Sequence, residues 1–468
     1  MTSRQKNLAL ITLIVAVVLE VVDLTIVNTA LPAIAADFGA KAEAVQWIVA
    51  GYALAFALLL MAGGRLGDTY GYRPVFLWGV TGFTLASMAC GLARTSEELV
   101  AARLLQGAAG AVMSPQAMAL MQVLFEPLER VSKLALFGLV GGLASIAGPI
   151  IGGILIDADI MGLGWRLVFL INLPVGILAL VSGWYFLPDR RSTRPSGADI
   201  PGMVLFGMAV LGLLWPLTRT QAGWGWRELA SLACAAPLFF LGWGHVARRV
   251  STQRPALFDP SLLAIAPFRI GLAISVAFAA ANAGFLLTFA FGLQAERGQT
   301  PLTTGLLHMP FGLGAMVGIA VLGRNFLPKY GKWVLVAGGS VMAIGAGGVI
   351  AGIGPLALSW TMLAPLLLLT GMGMGALSGC IAPISVAQVD RDHAGAASGL
   401  LKTAQQLGAA LGIAVAGSVY FAWDGMLGFP ASSGAFLAIG LLLALCIAFA
   451  TALPERIFAE RIEPAPQG

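Results

Sequence analysis

Residues 8–36 read LALITLIVAVVLEVVDLTIVNTALPAIAA. The stretch is almost wholly apolar and long enough to cross a bilayer as a helix. Its exceptions are Glu20 and Asp23, both deep inside it. Three residues apart, they share one helix face. A carboxylate in a membrane interior costs on the order of several kcal/mol, so these acids are expected to be paired or to hold a proton part of the time. An intramembrane acid pair on one face reads by default as a proton or cation site.

Composition sets the class. The chain has 468 residues, 58% hydrophobic and 10% charged, with a mean hydropathy of +0.88. No soluble domain of this length has so little polar surface, so an all-α polytopic membrane protein is predicted, with the lipid bilayer as its solvent. Sixty glycines suit closely packed membrane helices. The net charge of +5 is spread over many short loops and does not point to nucleic acid. Cys90, Cys234, Cys380 and Cys446 lie in apolar stretches, which argues against a disulfide framework, and no His/Cys cluster supports a metal site. No cofactor is expected. A cleavable signal peptide is not expected either, because the first apolar run is too long and carries two acids.

Apolar runs of about 20 residues occur near 8–30, 44–66, 74–93, 98–122, 134–156, 166–187, 200–218, 229–247, 268–293, 302–326, 333–353, 358–382, 394–420 and 432–453. Fourteen spans place both termini on one side. With the N-terminus inside, 20 basic residues, Arg65 and Lys402 among them, are assigned to inner loops and termini. Six (Lys41, Arg94, Arg166, Arg219, Arg227 and Arg297) fall outside, and Arg103 falls within a span. That asymmetry predicts an N-in, C-in topology. Polar breaks at 188–201 and 248–267 divide the chain into a six-helix bundle (1–188), a basic linker with two inserted helices (189–250) and a second six-helix bundle (251–468). Six plus two plus six suggests a pseudo-symmetric transporter.

The loop after the second span carries Gly64, Leu66, Asp68, Gly71 and Arg73 in a G-x-L-x-D-x-x-G-x-R pattern. Glycines permit a tight inter-helix turn, Asp68 has the chemistry of a cap or ion-pair partner, and the arginines anchor the inner face. A plain turn accounts for the glycines but not for the whole pattern. This loop resembles the signature of the major facilitator superfamily. Residues 99–111 (LVAARLLQGAAGA), with Arg103 and Gln106, resemble the superfamily's fourth-helix motif. Residues 142–153 (GLASIAGPIIGG), with Gly148, Pro149, Gly152 and Gly153, resemble its fifth-helix antiporter motif. Asp23-x-Thr25-x-Val27-Asn28-x-Ala30-Leu31-Pro32 and Trp165-Arg166-x-x-Phe169-x-x-Asn172-x-Pro174 are similar to motifs of the fourteen-span drug:proton antiporter branch.

The resemblance implies a proton-coupling role for Asp23 and Glu20. Arg103 is expected to pair with a carboxylate or polar group of the first bundle, against the plainer alternative of snorkelling to the interface. It implies a latch on the inner face at Gly64, Asp68, Gly71 and Arg73, and an export direction from the Gly148–Pro149 kink. In the corresponding loop of the second half, 323–331, Pro328 stands where the acid is wanted, so a symmetrical latch is not expected. Candidate cavity residues are Asn28, Trp47, Tyr52, Phe56, Gln106, Asn282, His308 and Gln405, with Gln294 and Gln406 noted for polarity alone. Trp47 reads equally as an interface anchor. A buried neutral histidine bonded to a helix carbonyl is the commoner state for His308. Gly371, Gly375 and Gly379 read as close helix packing.

The expected protein is a monomeric, proton-coupled multidrug efflux antiporter of a bacterial inner membrane, exchanging protons for small hydrophobic or cationic substrates. One alternative is a narrow-specificity exporter of a metabolite or self-made antibiotic. Another is a non-transporting membrane sensor, against which Asp23, Arg103 and the Gly148–Pro149 kink argue. No nucleophile–base constellation points to an enzyme, and no Walker motif points to ATP coupling.

Overall fold

Caps and glycines set the helix ends in the computed structural model, which describes residues 2–190, 197, 199–219, 225–390, 393–423 and 430–455. Helix α1 (Ser3–Phe38) begins at Thr2, where the Thr2 hydroxyl accepts from the Gln5 N–H and the Gln5 side chain accepts from the Thr2 N–H. It ends at Gly39 in the left-handed region, φ +54°. Helix α2 (Ala42–Tyr70) turns directly into α3 (Tyr72–Leu92) through Gly71, whose φ of +103° favours glycine. Thr95 caps α4 (Ser96–Leu124) and α5 (Pro127–Ala158) follows.

Next come α6 (Leu167–Leu170), α7 (Asn172–Phe186), α8 (Ile200–Thr218), α9 (Trp226–Ser251), α10 (Ala266–Phe291) and α11 (Pro301–Val317). The chain ends with α12 (Leu327–Tyr330), α13 (Trp333–Ile353), α14 (Trp360–Val386), α15 (Ala394–Ala422) and α16 (Ala431–Thr451). Helices α10 and α11 run on as π-helical turns over Gly292–Glu296 and Gly318–Phe326.

Each apolar run of the sequence falls on one long helix or, for the sixth, on the broken pair α6 and α7. Thirteen helical segments among the described residues are long and apolar enough to cross a membrane. Helix α4 is as long as α2, at 29 residues, but carries Glu97, Glu98 and Arg103. Arg191, Arg194, Arg391, Arg456 and Arg461, all assigned to the inner side, lie outside the described residues. Lys402 needs correction: it is not a loop residue but sits about two turns inside α15.

Helices α2 and α3 pack on α4, and α1 packs on α5 and α7. Helix α10 packs on α15 and α16, while α13 and α11 both pack on α14. The early helices meet the late ones chiefly where α5 packs on α11 and α2 on α15, with smaller contacts of α1 on α10 and α11. Outward-facing apolar side chains such as Trp78, Leu105, Trp184, Phe240 and Leu437 are all more than half exposed, as expected where lipid replaces water.

Helices α8 and α9 pack on each other, and Asp199 fastens their ends. Its carboxylate accepts from the Gly202 N–H (3.1 Å) and the Leu257 N–H (3.0 Å). His245 Nε2 lies 2.9 Å away and Arg249 Nη1 3.7 Å away. Burial alone would raise this carboxyl, but the bonds from His245, Gly202 and Leu257, with the Arg249 charge, hold it below its ordinary value of 3.8. A depressed carboxyl adds stability that is complete above 3.8 and is lost as pH falls through the lower native value. Asp199→Asn is therefore expected to lower the melting temperature of the purified protein, losing about 1–3 kcal/mol. The gap from wild type should hold down to about pH 4 and narrow below it.

Candidate functional site

The site grows from a close crossing of α4 on α2. A Cβ on Gly107 would lie 2.3 Å from the Tyr52 carbonyl oxygen, so glycine is what lets the two backbones meet. One turn earlier on α4, Arg103 is thereby laid over the Tyr52 ring, 4.4 Å from its centroid. Its Nε donates to the Ile48 carbonyl (3.1 Å). Nη1 donates to Asp23 Oδ2 (2.6 Å) and to Gln106 Oε1 (2.7 Å).

The other oxygen of Asp23 is also engaged. Oδ1 accepts from Gln106 Nε2 (2.7 Å) and Asn172 Nδ2 (2.8 Å). Asn172 also donates to Ser87 Oγ (2.9 Å), and Ser87 donates to the Phe169 carbonyl (2.9 Å). Six helices, α1 to α4, α6 and α7, thus contribute to one network, and Asp23 and Arg103 are each 0% exposed. Such a pair holds only when both charges are matched and hydrogen-bonded, because desolvating either alone is expensive.

Glu20 has a different setting. Lys402 Nζ lies 3.5 Å from Glu20 Oε1 and donates to Ser114 Oγ at 2.8 Å, and Ser114 is itself 3.4 Å from Glu20. The Lys402 ammonium sits 5.1 Å from the Phe56 ring centroid. The Glu20 side chain is 7% exposed but that of Lys402 is 46% exposed, although it bridges α15 to α1 and α4. The helices therefore do not close over it. The two acids of one face have separated into an enclosed one and one at the edge of open space.

The remaining sequence candidates scatter. Gln106 and Tyr52 belong to the Asp23 network, and Phe56 is buried beneath Lys402. Asn28 donates to its own helix at the Leu24 and Thr25 carbonyls. Trp47 Nε1 donates to Thr218 Oγ1 of α8 (3.1 Å) and lines a cavity of about 820 Å³ between the α1–α2 turn, α4 and α8, away from Asp23. His308 is buried, its Nδ1 2.9 Å from the Thr304 carbonyl, edge-on to Phe289. Asn282 and Gln405 are half-buried. Gln294 donates to the Thr29 carbonyl (3.0 Å), a contact between early and late helices. Gly371 and Gly375 pack on α11, where a Cβ would meet the Phe311 and Ala315 carbonyls.

At the signature loop, Asp68 accepts from the Tyr72 hydroxyl (3.0 Å), four residues on in the same turn, a local contact. Arg73 donates to the Trp184 carbonyl and lies 5.3 Å from that indole. Arg65 reaches furthest, donating to the Gly197 and Ala256 carbonyls. Gly64 makes only ordinary contact with Pro115. In the antiporter motif a Cβ on Gly148 or Gly152 would strike α1 at Thr25 or Ile26. One on Gly153 would strike Pro301 and Leu302, and one on Gly305 would meet the Pro149 carbonyl at 2.4 Å. The Gly148–Gly153 stretch, which stays helical through Pro149, is thus the seam between α1, α5 and α11. Nearby, Ser418 of α15 bonds Gln46 of α2 (3.3 Å) and the Leu302 N–H bonds Asp157 (3.3 Å), so these contacts close one end of the molecule.

A multi-pass helical bundle with one buried ion pair, a second half-open one and glycine seams between its early and late helices is the construction of a membrane transporter. The chain matches the Major Facilitator Superfamily over residues 13–413 and belongs to it. It is 38% identical over 426 residues, covering 89% of this chain and 72% of the relative, to a Streptomyces coelicolor protein named a probable actinorhodin transporter. It is 35% identical to the tetracenomycin C resistance and export protein of Streptomyces glaucescens, with 87% and 74% of the two chains covered. Its fold matches the crystal structure of a bacterial homologue of the human lysosomal transporter Spinster, TM-score 0.70, at 18% identity and 98% coverage of both chains.

The sequence did not assign a role to Asn172 or Lys402, and both are central. Asp23→Asn or Arg103→Gln alone is expected to cost ~3–5 kcal/mol by stranding a buried charge. Combining them should recover a large part of that loss. Glu20→Gln should cost only about 0–1 kcal/mol, since its partner is half in solvent. Melting temperatures of the four purified variants check the order.

Proposed function

We propose that the protein is a proton-coupled exporter of small hydrophobic molecules, working by alternating access in a bacterial inner membrane. What supports the reading is the Asp23 network: a carboxylate matched to a guanidinium, closed to solvent, and shared by α1, α2, α3, α4, α6 and α7. Protonating Asp23 would break its ion pair with Arg103. That change would propagate through every helix that bonds to the network. Proton uptake and substrate binding would then favour different packings of the same helices, which is exchange.

The proposed architecture has fourteen spans with both termini inside. Residues 1–188 and 251–468 form two bundles that rock about the space at Lys402, and α8 and α9 are an inserted pair. Under that orientation the closed end, at Gly153, Pro301, Gln46 and Ser418, faces outward, and the open space is reached from the cytoplasm. Export requires loading from that side. The working unit is taken as a monomer, and Arg65 and Arg73 as the groups that tie the inner loop down, with Asp68 as a local brace. The relatives named for actinorhodin and tetracenomycin C each carry the name of one compound, which supports a narrow substrate range, while others at 30–31% identity are named multidrug resistance proteins, which supports a broad one.

Everted membrane vesicles test the coupling. An acid interior should drive accumulation of exported aromatic compounds in the wild type and should be dissipated by an uncoupler. Asp23→Asn should lose nearly all gradient-driven accumulation while substrate counterflow persists. If Asp23→Asn accumulates like wild type, coupling does not run through this carboxylate.

A further inference from the structure

We propose that Lys402 is a substrate-recognising residue and that the transported compound carries an acidic group, a carboxylate or ionised phenol. The inference rests on reading the space between α1, α4 and α15 as the transport cavity. The acid pair of α1 suggested cationic substrates, but neither acid faces that space. Asp23 is 0% exposed, with both oxygens bonded, and the Glu20 side chain is 7% exposed behind the lysine. The Lys402 side chain is 46% exposed. A solute entering between the helices therefore meets an ammonium first.

The geometry suits exchange of partners. At 3.5 Å the Glu20–Lys402 contact is loose compared with the 2.6 Å of Asp23–Arg103. An arriving anion would take the ammonium in a charge-assisted bond. Glu20 would then keep the Ser114 hydroxyl, already 3.4 Å away, as its donor. Phe56 lies beneath the ammonium, 5.1 Å from it, and is fully buried, so it steadies the Lys402 head group from below and leaves its other side to the solute. A cationic solute would instead have to displace Lys402 from Glu20 while sitting beside a like charge.

Two xanthene dyes of opposite charge, anionic fluorescein and cationic rhodamine 6G, provide the test, with binding to the purified full chain followed by dye anisotropy. Wild type should bind fluorescein the more tightly. Lys402→Gln should weaken fluorescein by about tenfold or more, the scale of one lost charge-assisted bond, and leave rhodamine 6G unchanged or tighter. Lys402→Arg should retain fluorescein binding. Should Lys402→Gln fold poorly with Glu20 unpaired, Glu20→Gln/Lys402→Gln removes both charges together and should show the same loss. The proposal is overturned by wild-type preference for rhodamine 6G, by binding of neither dye, by equal weakening of both, or by fluorescein binding that ignores Lys402. Lys402-dependent fluorescein binding with no uptake into everted vesicles would leave the lysine assignment standing and overturn the transport reading.

Discussion

The ion pair of Asp23 with Arg103 is the constraint on which the arrangement of the early helices depends. Neither charge is tolerable alone in a low-dielectric interior, so α1 and α4 must be held where the two groups meet. Matching the charge is not sufficient. The carboxylate's second oxygen takes partners from Gln106 and Asn172, and Arg103 Nε donates to the Ile48 carbonyl, while its Nη2 is left without a hydrogen-bond partner. The network therefore fixes the positions of α2 and α7 as well, and Ser87 carries it into α3. Glycine supplies the close approach: without Gly107, Arg103 would not reach across α2.

That economy separates two kinds of buried charge in one molecule. Asp23 is held by a guanidinium, a planar group with several fixed donors, at 2.6 Å and with both carboxylate oxygens bonded. Glu20 is held by an ammonium on a flexible stem that crosses from α15, and the geometry is long and half open. The first arrangement resists rearrangement and suits a device that stores a conformation. The second exchanges partners at little cost and suits contact with a transient ligand. Both acids lie on one face of one helix, yet their roles diverge because different helices approach them.

Much of this was legible in the sequence, for physical reasons that also mark where legibility ended. Apolar runs located the membrane helices because lipid imposes a fixed length, whereas helix ends overran the runs because caps such as Thr2 and Thr95 lie outside the apolar stretch. Arg103 stood out as a charge within a span, and its need for an acid followed. Asn172 sat in a quoted motif without a role, since a neutral amide near a helix start gives no electrostatic signal. Lys402 was misassigned because counting basic residues by side treats any lysine near a span's inner end as a loop residue. The cue was present: it lies about as far inside α15 as would oblige a lysine to find an acid, and Glu20 was an acid without a named partner. Pairing charges between spans would have joined them. Tyr52, Phe56 and Trp47 could not be sorted by type, because whether an aromatic faces a cavity, a cation or a neighbouring helix depends on crossings that no periodicity encodes.

The contrast between the two ends of the molecule follows from the same chemistry. Where Gly153 and Gly305 allow backbones to touch, α5 is fastened to α11 with no side chain between, while Gly148 and Gly152 receive the Thr25 and Ile26 side chains of α1. Such seams are strong when closed and have no intermediate: glycines either meet a carbonyl or lose the contact altogether. At the Lys402 level the join is a single extended side chain, which bends without breaking a packed surface. A molecule seamed by glycines at one end and spanned by one flexible ion pair in the middle is open at the Lys402 level in this state, and the proposed alternating access requires the glycine seam to part when that level closes.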